Sequence, residues 1–390
     1  MSTLNSWQKL TRVLPSQPFG NGVDGATTIS SNTTQSTTTQ SCSGSSGSST
    51  LTIASGAFTN GDIVLIHQSR GTGVGQWEIN RISSGGGTTS LTMQATLQYT
   101  YTDSGDSQAQ VVKIPQYTTV TINTGQTWSG ADWDGNVNGF LIFAASVSTT
   151  ITGVASTYAT GFLGGANGYG GSGATTQQGE GTGGARTQST SPQGNGGGGA
   201  DNEASYYAGG GAGGHANSGQ NGWSFPVLSN GGGTAGSADL TTMVFGGGGA
   251  CSQRSASPYY IQGGDGAGIV AIFTNSLTVT GNVRCDGQNG YDAVASDSST
   301  GGGAGAGGSV LIVCQTATLG SNLIYATGGK GGAVAGSSPP SAIGADASTG
   351  RIAVHHSGTV TGTTNPTFTD VTDPTLVPGG GGAFLYNMIV

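Results

Sequence analysis

Between residues 51 and 138 the apolar positions fall into short runs of period two: LTIASG, DIVLIHQS, GQWEINRI, TSLTMQATL, AQVVKIP and TTVTINTG, divided by Gly, Asn and Asp. Alternation by twos puts successive side chains on opposite faces of a strand. Turn signals about every ten residues cut these strands short, which predicts a small, compact antiparallel β module. Upstream, NSWQKLTRVL suits a short helix stopped by Pro15. The stretch TTISSNTTQSTTTQSCSGSSGSST then mixes strand-favouring Thr with turn-favouring Ser and Asn. It reads as a thin edge strand or a linker, so residues 1–50 are assigned as an N-terminal attachment segment.

Beyond residue 138 the spacing lengthens into a repeat. GFLIFAASVSTTITGVASTYATG from 139, GIVAIFTNSLTVTGNVRCDGQNG from 268, GSVLIVCQTATLGSNLIYATGGKGG from 308 and GRIAVHHSGTVTG from 350 share one layout. Each opens on glycine, runs through an apolar strand such as Ile269 to Phe273, and crosses polar residues into a second strand such as Leu277 to Val279. Units of short strands too small to bury their own faces must stack on one another. Between the copies lie glycine tracts at 164–174, 194–199, 209–219, 231–236, 246–249, 263–268 and 301–308. Such tracts cannot fill a core with side chains. They can pack backbone against backbone in the extended form with three residues per turn, where only glycine fits a crowded axis. Ordering a glycine costs on the order of 1–2 kcal/mol of backbone entropy, so the tracts must pair laterally to be fixed. The chain is therefore expected to be all-β: glycine-rich, parallel β-solenoid-like repeats with polyglycine-type tracts over 139–390, preceded by the small antiparallel module over 51–138.

Composition narrows the function classes. The chain has 390 residues, 77 of them glycine, with 10 Lys+Arg, 18 Asp+Glu and a net charge of -8. Disordered chains combine low hydrophobicity with high net charge, and this one is nearly uncharged for its length. Singly scattered cations give no footprint for nucleic acid. The longest apolar run, FLIFAASV at 140–147, is too short to span a bilayer, so no membrane insertion is expected. The first residues lack the apolar stretch of a Sec signal peptide, which predicts synthesis in a cytoplasm without that export route. Cys42, Cys251, Cys285 and Cys314 show no CxxC pairing and read as small buried hydrophobes.

Catalytic chemistry finds little to work with. Asp103 with Asp106, and Asp132 with Asp134, are the closest acidic pairs. Both sit in Gly/Ser/Asn turns, where Asp is placed for side-chain-to-backbone hydrogen bonds, and no catalytic residue is assigned. Oxygen donors at Asp132, Asp134 and Asn136, with Asn138, make a weak calcium candidate, but the glycine and closing glutamate of an EF-hand loop are missing. No other cofactor is expected. His355 and His356 are adjacent on a strand and face opposite sides, so they do not chelate one metal. Tyr206, Tyr207, Trp223, Phe225, Tyr259 and Tyr260 lie in or beside glycine tracts, together with His215. Aromatic side chains of this kind give large contact areas at low entropic cost, so these seven residues are the candidate receptor-contact set; packing as lids over the tracts is the competing reading.

The run FTNGDIVLIHQSRGTGVGQWEINRI, continued through QVVKIPQYTTVTINTGQTWSGADWDGNVNGFLIF to GAGAGGSVLIVCQTATLGSNLIYATGGKGG, resembles the glycine-rich β module of phage tail-fibre or tail-tip proteins and of related bacterial surface proteins. In architecture it is similar to the polyglycine-tract receptor-binding adhesins of T-even-type phages. The resemblance covers about residues 20–390 and rests on turns and strands. It implies a non-enzymatic virion protein of the tail that binds a bacterial surface receptor, a glycan or an outer-membrane protein, through loops among glycine segments. Other virion tail proteins and further copies of the same chain are its implied partners. Two other readings stand beside it: a self-assembling filament or surface-layer protein built by lateral stacking of glycine tracts, and a depolymerase, which lacks a convincing acidic pair.

Overall fold

The computed structural model describes residues 18–166, 176–189, 191–199, 209–222, 229–252, 261–293, 300–334 and 343–376; the helix expected over 5–14 lies outside them. Among the described residues every regular element is a β-strand. Two short strands come first, β1 (Thr27–Ile29) and β2 (Thr33–Thr34). Then β3 (Thr39–Ser43), β4 (Thr50–Ile53), β5 (Ile63–Arg70), β6 (Trp77–Ser84), β7 (Ser90–Met93) and β8 (Gln108–Lys113) close an antiparallel barrel in the order β3-β4-β7-β6-β5-β8. Strand β5 is buried along its whole length. Its alternation explains why: Val64 and Ile66 join Leu51, Ile82, Leu91 and Val111 inside the barrel. Ile63 and Leu65 turn outward into a second core shared with the rest of the protein.

That second core is completed by a sheet in which all pairing is parallel. It contains β9 (Gln116–Ile122), β10 (Thr127–Ser129), β11 (Phe140–Ile151), β12 (Val154–Ser156), β13 (Ile269–Val279), β14 (Asn282–Arg284), β15 (Ser309–Tyr325), β16 (Arg351–His356), β17 (Val360–Asn365) and β18 (Thr369–Thr372). The path runs β1-β9-β11-β13-β15-β14-β12-β10-β2, so the sheet folds back on itself. Phe140, Ile269, Ser309 and Arg351 stand in one register row, which aligns the four sequence repeats strand on strand. The first halves of β11, β13 and β15 are buried on both faces. Leu141, Phe143, Val270, Ile272, Val310 and Ile312 fill the space inside the folded sheet. Phe140, Ile142, Ala271, Phe273, Leu311 and Val313 pack outward toward the barrel. Burial on both faces is why these segments read as unbroken apolar runs. The second halves revert to alternation. Thr121, Thr150, Thr278 and Thr318 form an outward row in register, while Ile122, Ile151 and Val279 point in.

Strand pairing draws the internal boundary elsewhere than the sequence spacing does. TTVTINTG, read as the last strand of the small module, is β9 and belongs to the parallel sheet. Strands β1 and β2 come from the presumed attachment segment and pair with β9 and β10. The barrel itself occupies residues 39–113.

The glycine tracts run alongside one another beyond the ends of β11, β13, β15 and β16, and their amides bond in rotation. In 209–214, Gly211 donates to Gly198, Ala212 to Gln220, Gly213 to Ala304, and Gly214 returns to the first neighbour at Asn195. In 246–252, Gly246 donates to Ala267, Gly247 to Gly214 and Gly248 to Glu180; Gly249, Ala250 and Cys251 then repeat the order with Gly264, Gly211 and Gln177. Residues 303–308 do the same toward Ala250, Ala345, Gln288, Gly247, Ser348 and Cys285. Three successive residues thus serve three different neighbours before the direction recurs. The spacing between segments excludes side chains. A Cβ placed on Gly247 would stand 1.8 Å from the carbonyl oxygen of Asn195.

Candidate functional site

Residues 261–268, 300–308 and 343–350 each run directly into β13, β15 or β16, so their first residues mark the end of the glycine array away from the sheet. The other described ends gather there. Gly222 donates to Ser229, and Ser252 exchanges hydrogen bonds with Ile261. Gly210 donates to Gly301, Gly302 to Tyr291, Gly332 to Gly302, and Ala293 to Ala333. Gly344 donates to Gly332, while Gly199 donates to Ser189, beside Thr176. The described residues 166 and 176, 199 and 209, 222 and 229, 252 and 261, 293 and 300, and 334 and 343 therefore all stand at this one end of the array. Tyr291 and Ile343, 46% and 52% exposed, are apolar side chains on the same rim. The hydroxyl of Tyr291 is 3.3 Å from Gln288 Nε2, and Lys330 pairs with Asp346 nearby.

Of the candidate contact residues, Tyr206, Tyr207, Trp223, Phe225, Tyr259 and Tyr260 fall outside the described residues; their segments are bounded by the 199/209, 222/229 and 252/261 pairs. His215 is described, and it lies at the opposite end of its tract, fully buried. One ring nitrogen, Nδ1, contacts the Gly307 carbonyl at 2.7 Å, and Nε2 stands 3.5 Å from Ser309 Oγ. Burial lowers its pKa from 6.5 to about 4, which keeps the ring neutral. In that position it ties the 209–214 tract to the start of β15 and offers no surface.

The loop at 132–139 is a turn of the kind Asp favours. Asp134 Oδ1 accepts from the amides of Asn136 at 2.8 Å and Val137 at 2.9 Å. Among the described residues no group of three or more His, Cys, Asp or Glu is placed to hold a metal ion. The adjacent histidines diverge as their strand requires, His355 toward the Asp239 carbonyl and His356 onto the Asp370 carboxylate. The four cysteines are all buried thiols, and burial pushes Cys251, Cys285 and Cys314 to about 12.

A constellation that local sequence patterns do not signal joins the barrel to the glycine array. Arg70, at the end of β5, forms an ion pair with Glu180, and both side chains are more than nine-tenths buried. The other oxygen of Glu180 accepts from Trp133 Nε1 at 3.0 Å and from the Leu163 amide at 3.1 Å. Asp265 lies close by, accepting from the Gly164 amide at 2.6 Å; burial raises its pKa, with Asp132 and Glu180 adding to the rise. The partners stand 110 residues apart in the chain. No short motif carries such a pair.

No family model and no curated protein matches this chain. Among solved structures it has a likeness to the tailspike of Acinetobacter baumannii bacteriophage AP22 in complex with A. baumannii capsular saccharide, with a TM-score of 0.20 and 9% identity. That alignment covers 87% of this chain and 60% of the tailspike, so this chain spans less than two thirds of the tailspike's length.

Proposed function

We propose that this chain is a non-enzymatic component of a phage tail fibre or tail tip that adheres to the surface of a bacterium. In this reading the parallel strands are coils of a short solenoid, and the glycine tracts form a polyglycine sandwich whose free end faces the host. One observation supports it above the rest: the described ends of the segments at 166/176, 199/209, 222/229, 252/261, 293/300 and 334/343 gather on a single rim. A backbone array held by hydrogen bonds in three directions is a rigid base at those ends. Tyr206, Tyr207, Trp223, Tyr259 and Tyr260 belong by sequence to those segments. Tyr and Trp rings suit stacking on a glycan or contact with an outer-membrane protein loop.

A second reading rests on the sheet's ends. β1 and β2 terminate it on one side and β17 and β18 on the other, and strand edges of this kind invite pairing between copies. A filament built that way would need no receptor. The two readings part in one experiment: pull-down of the purified chain on a panel of bacterial strains, alongside Tyr206→Ala/Tyr207→Ala and Trp223→Ala variants. The adhesin reading expects saturable binding to some strains that the variants lose while circular dichroism stays unchanged. Absence of binding to every strain, with fibres in negative-stain images, would refute it in favour of assembly.

A further inference from the structure

A cleft bounded by described residues opens on the barrel. It has a volume of about 580 Å³ and is walled by Ser43 to Ser45, Ser48, Thr50 and Thr52 on one side and by 100–104 on the other. That size falls within the range of small-molecule sites, about 300–1,000 Å³. β4 supplies Thr50 and Thr52 by alternation, its Leu51 and Ile53 being turned into the barrel core. Backbone exchange between Gly44 and Tyr101, at 3.0 and 2.8 Å, fixes the base. The second wall is clamped from beneath. The buried side chain of Gln68 donates to the Thr102 carbonyl at 3.0 Å and accepts from its amide at 2.8 Å.

The chemistry of the lining is uniform. The side chains of Ser43, Ser45, Thr50, Thr52, Thr102 and Asp103 make no hydrogen bond to the described residues, yet they converge on one concavity. Each hydroxyl both donates and accepts, and the carboxylate of Asp103 accepts twice. That set matches the vicinal hydroxyls of a sugar ring, which also donate and accept. The alternatives fit poorly. The cleft has no cationic side chain to hold a phosphate or an acidic sugar. One carboxylate is too few for a calcium ion seeking six to eight oxygens. β3 and β4 are paired on both edges within the closed barrel, so a peptide finds no free strand edge to extend.

We infer that this cleft is a binding site for a neutral saccharide, independent of the contact rim at the far end of the glycine array. The test is titration of the intact chain with a panel of neutral mono- and disaccharides, followed by saturation-transfer NMR and calorimetry. Glucuronic acid, sialic acid and calcium chloride serve as separate arms. Saturable binding of at least one neutral sugar is expected. It should weaken about tenfold in Thr52→Val and in Asp103→Asn, roughly the loss of one strong hydrogen bond. Thr52→Val preserves shape and strand propensity at an exposed position, so its unfolding midpoint should match the parent. The Tyr206→Ala/Tyr207→Ala variant should bind the sugar unchanged, which separates this site from the rim. The inference is overturned if no neutral sugar binds up to tens of millimolar. Binding that survives both cleft substitutions, or that favours the acidic sugars or calcium, also overturns it.

Discussion

Replacing Gly247 by alanine tests the glycine array at one of its tightest points. The new Cβ would lie 1.8 Å from the Asn195 carbonyl oxygen, against an ordinary carbon–oxygen contact of about 3.3 Å, so the two segments must part by roughly 1.5 Å. Asn195 has no freedom to retreat. It is fully buried, its carbonyl accepts from Gly214 at 2.8 Å, its Nδ2 donates to Phe245 at 3.0 Å, and its Oδ1 accepts from Thr182 at 2.9 Å. Separation would break the bonds from Gly214 to Asn195, Gly247 to Gly214, Ala306 to Gly247 and Gly197 to Gly248. Each is worth about 1 kcal/mol net and on the order of 1–3 kcal/mol if its groups stay buried and unpaired, for a total of roughly 4–12 kcal/mol. Alanine returns only about 0.4–1 kcal/mol by restricting the unfolded chain. A net loss of at least about 3 kcal/mol follows, a large share of the roughly 5–15 kcal/mol that holds a domain together. Urea and thermal unfolding followed by circular dichroism measure it, with Gly233→Ala as the control. There the nearest atom to a new Cβ is 3.3 Å away and the backbone is not in the left-handed region, so a change within about 1 kcal/mol is expected. If Gly247→Ala unfolds at the same midpoint as Gly233→Ala, backbone-to-backbone packing does not explain the glycine content.

Two further predictions concern buried charge. The folded state holds His215 neutral with a pKa of about 4 against 6.5, so the unfolded chain binds the proton first as pH falls. Stability is fully present above about pH 6.5 and is lost progressively toward pH 4, by about 3 kcal/mol for this residue. Thermal midpoints measured across that range should fall more steeply in the parent than in His215→Gln. Asp265, whose carboxyl is raised, opposes this slope in part. Arg70→Met should cost about 3–5 kcal/mol in denaturant unfolding, because it strands the Glu180 carboxylate between the barrel and the glycine array. A loss below about 1 kcal/mol would mean that the ion pair does not hold the two together.

The apolar strands were legible in the sequence because burial on both faces leaves a signature that no neighbour is needed to decode. FLIFAA, IVAIF and SVLIVC open β11, β13 and β15. β1 and β2 were not, because each is three residues or fewer and only Ile29 faces the core. The glycine tracts announced themselves by composition, but which tract bonds to which is written in no side chain, since partners are chosen by backbone position alone. His215 shows the limit of reading by context. GGHANSG has the look of an exposed loop, and nothing local says that its imidazole is folded against Gly307, 92 residues on. Arg70 and Glu180 were likewise two isolated charges until the fold brought them together.

The rotation of hydrogen bonds among the glycine segments also sets a timetable for folding. The segment 209–214 cannot complete its bonds until 300–304 exists, and 303–308 waits in turn for 345–348. β11 likewise has its inner partner only when β13 is made, more than a hundred residues later. Contacts of such long sequence separation form slowly. While a ribosome is still extending this chain, each newly made apolar strand therefore has a partner on one edge only, β11 on β9 and β13 on β11, and almost the whole polypeptide must be released before the array can lock. Intermediates that expose unpaired strand edges in this way are the species from which aggregates grow.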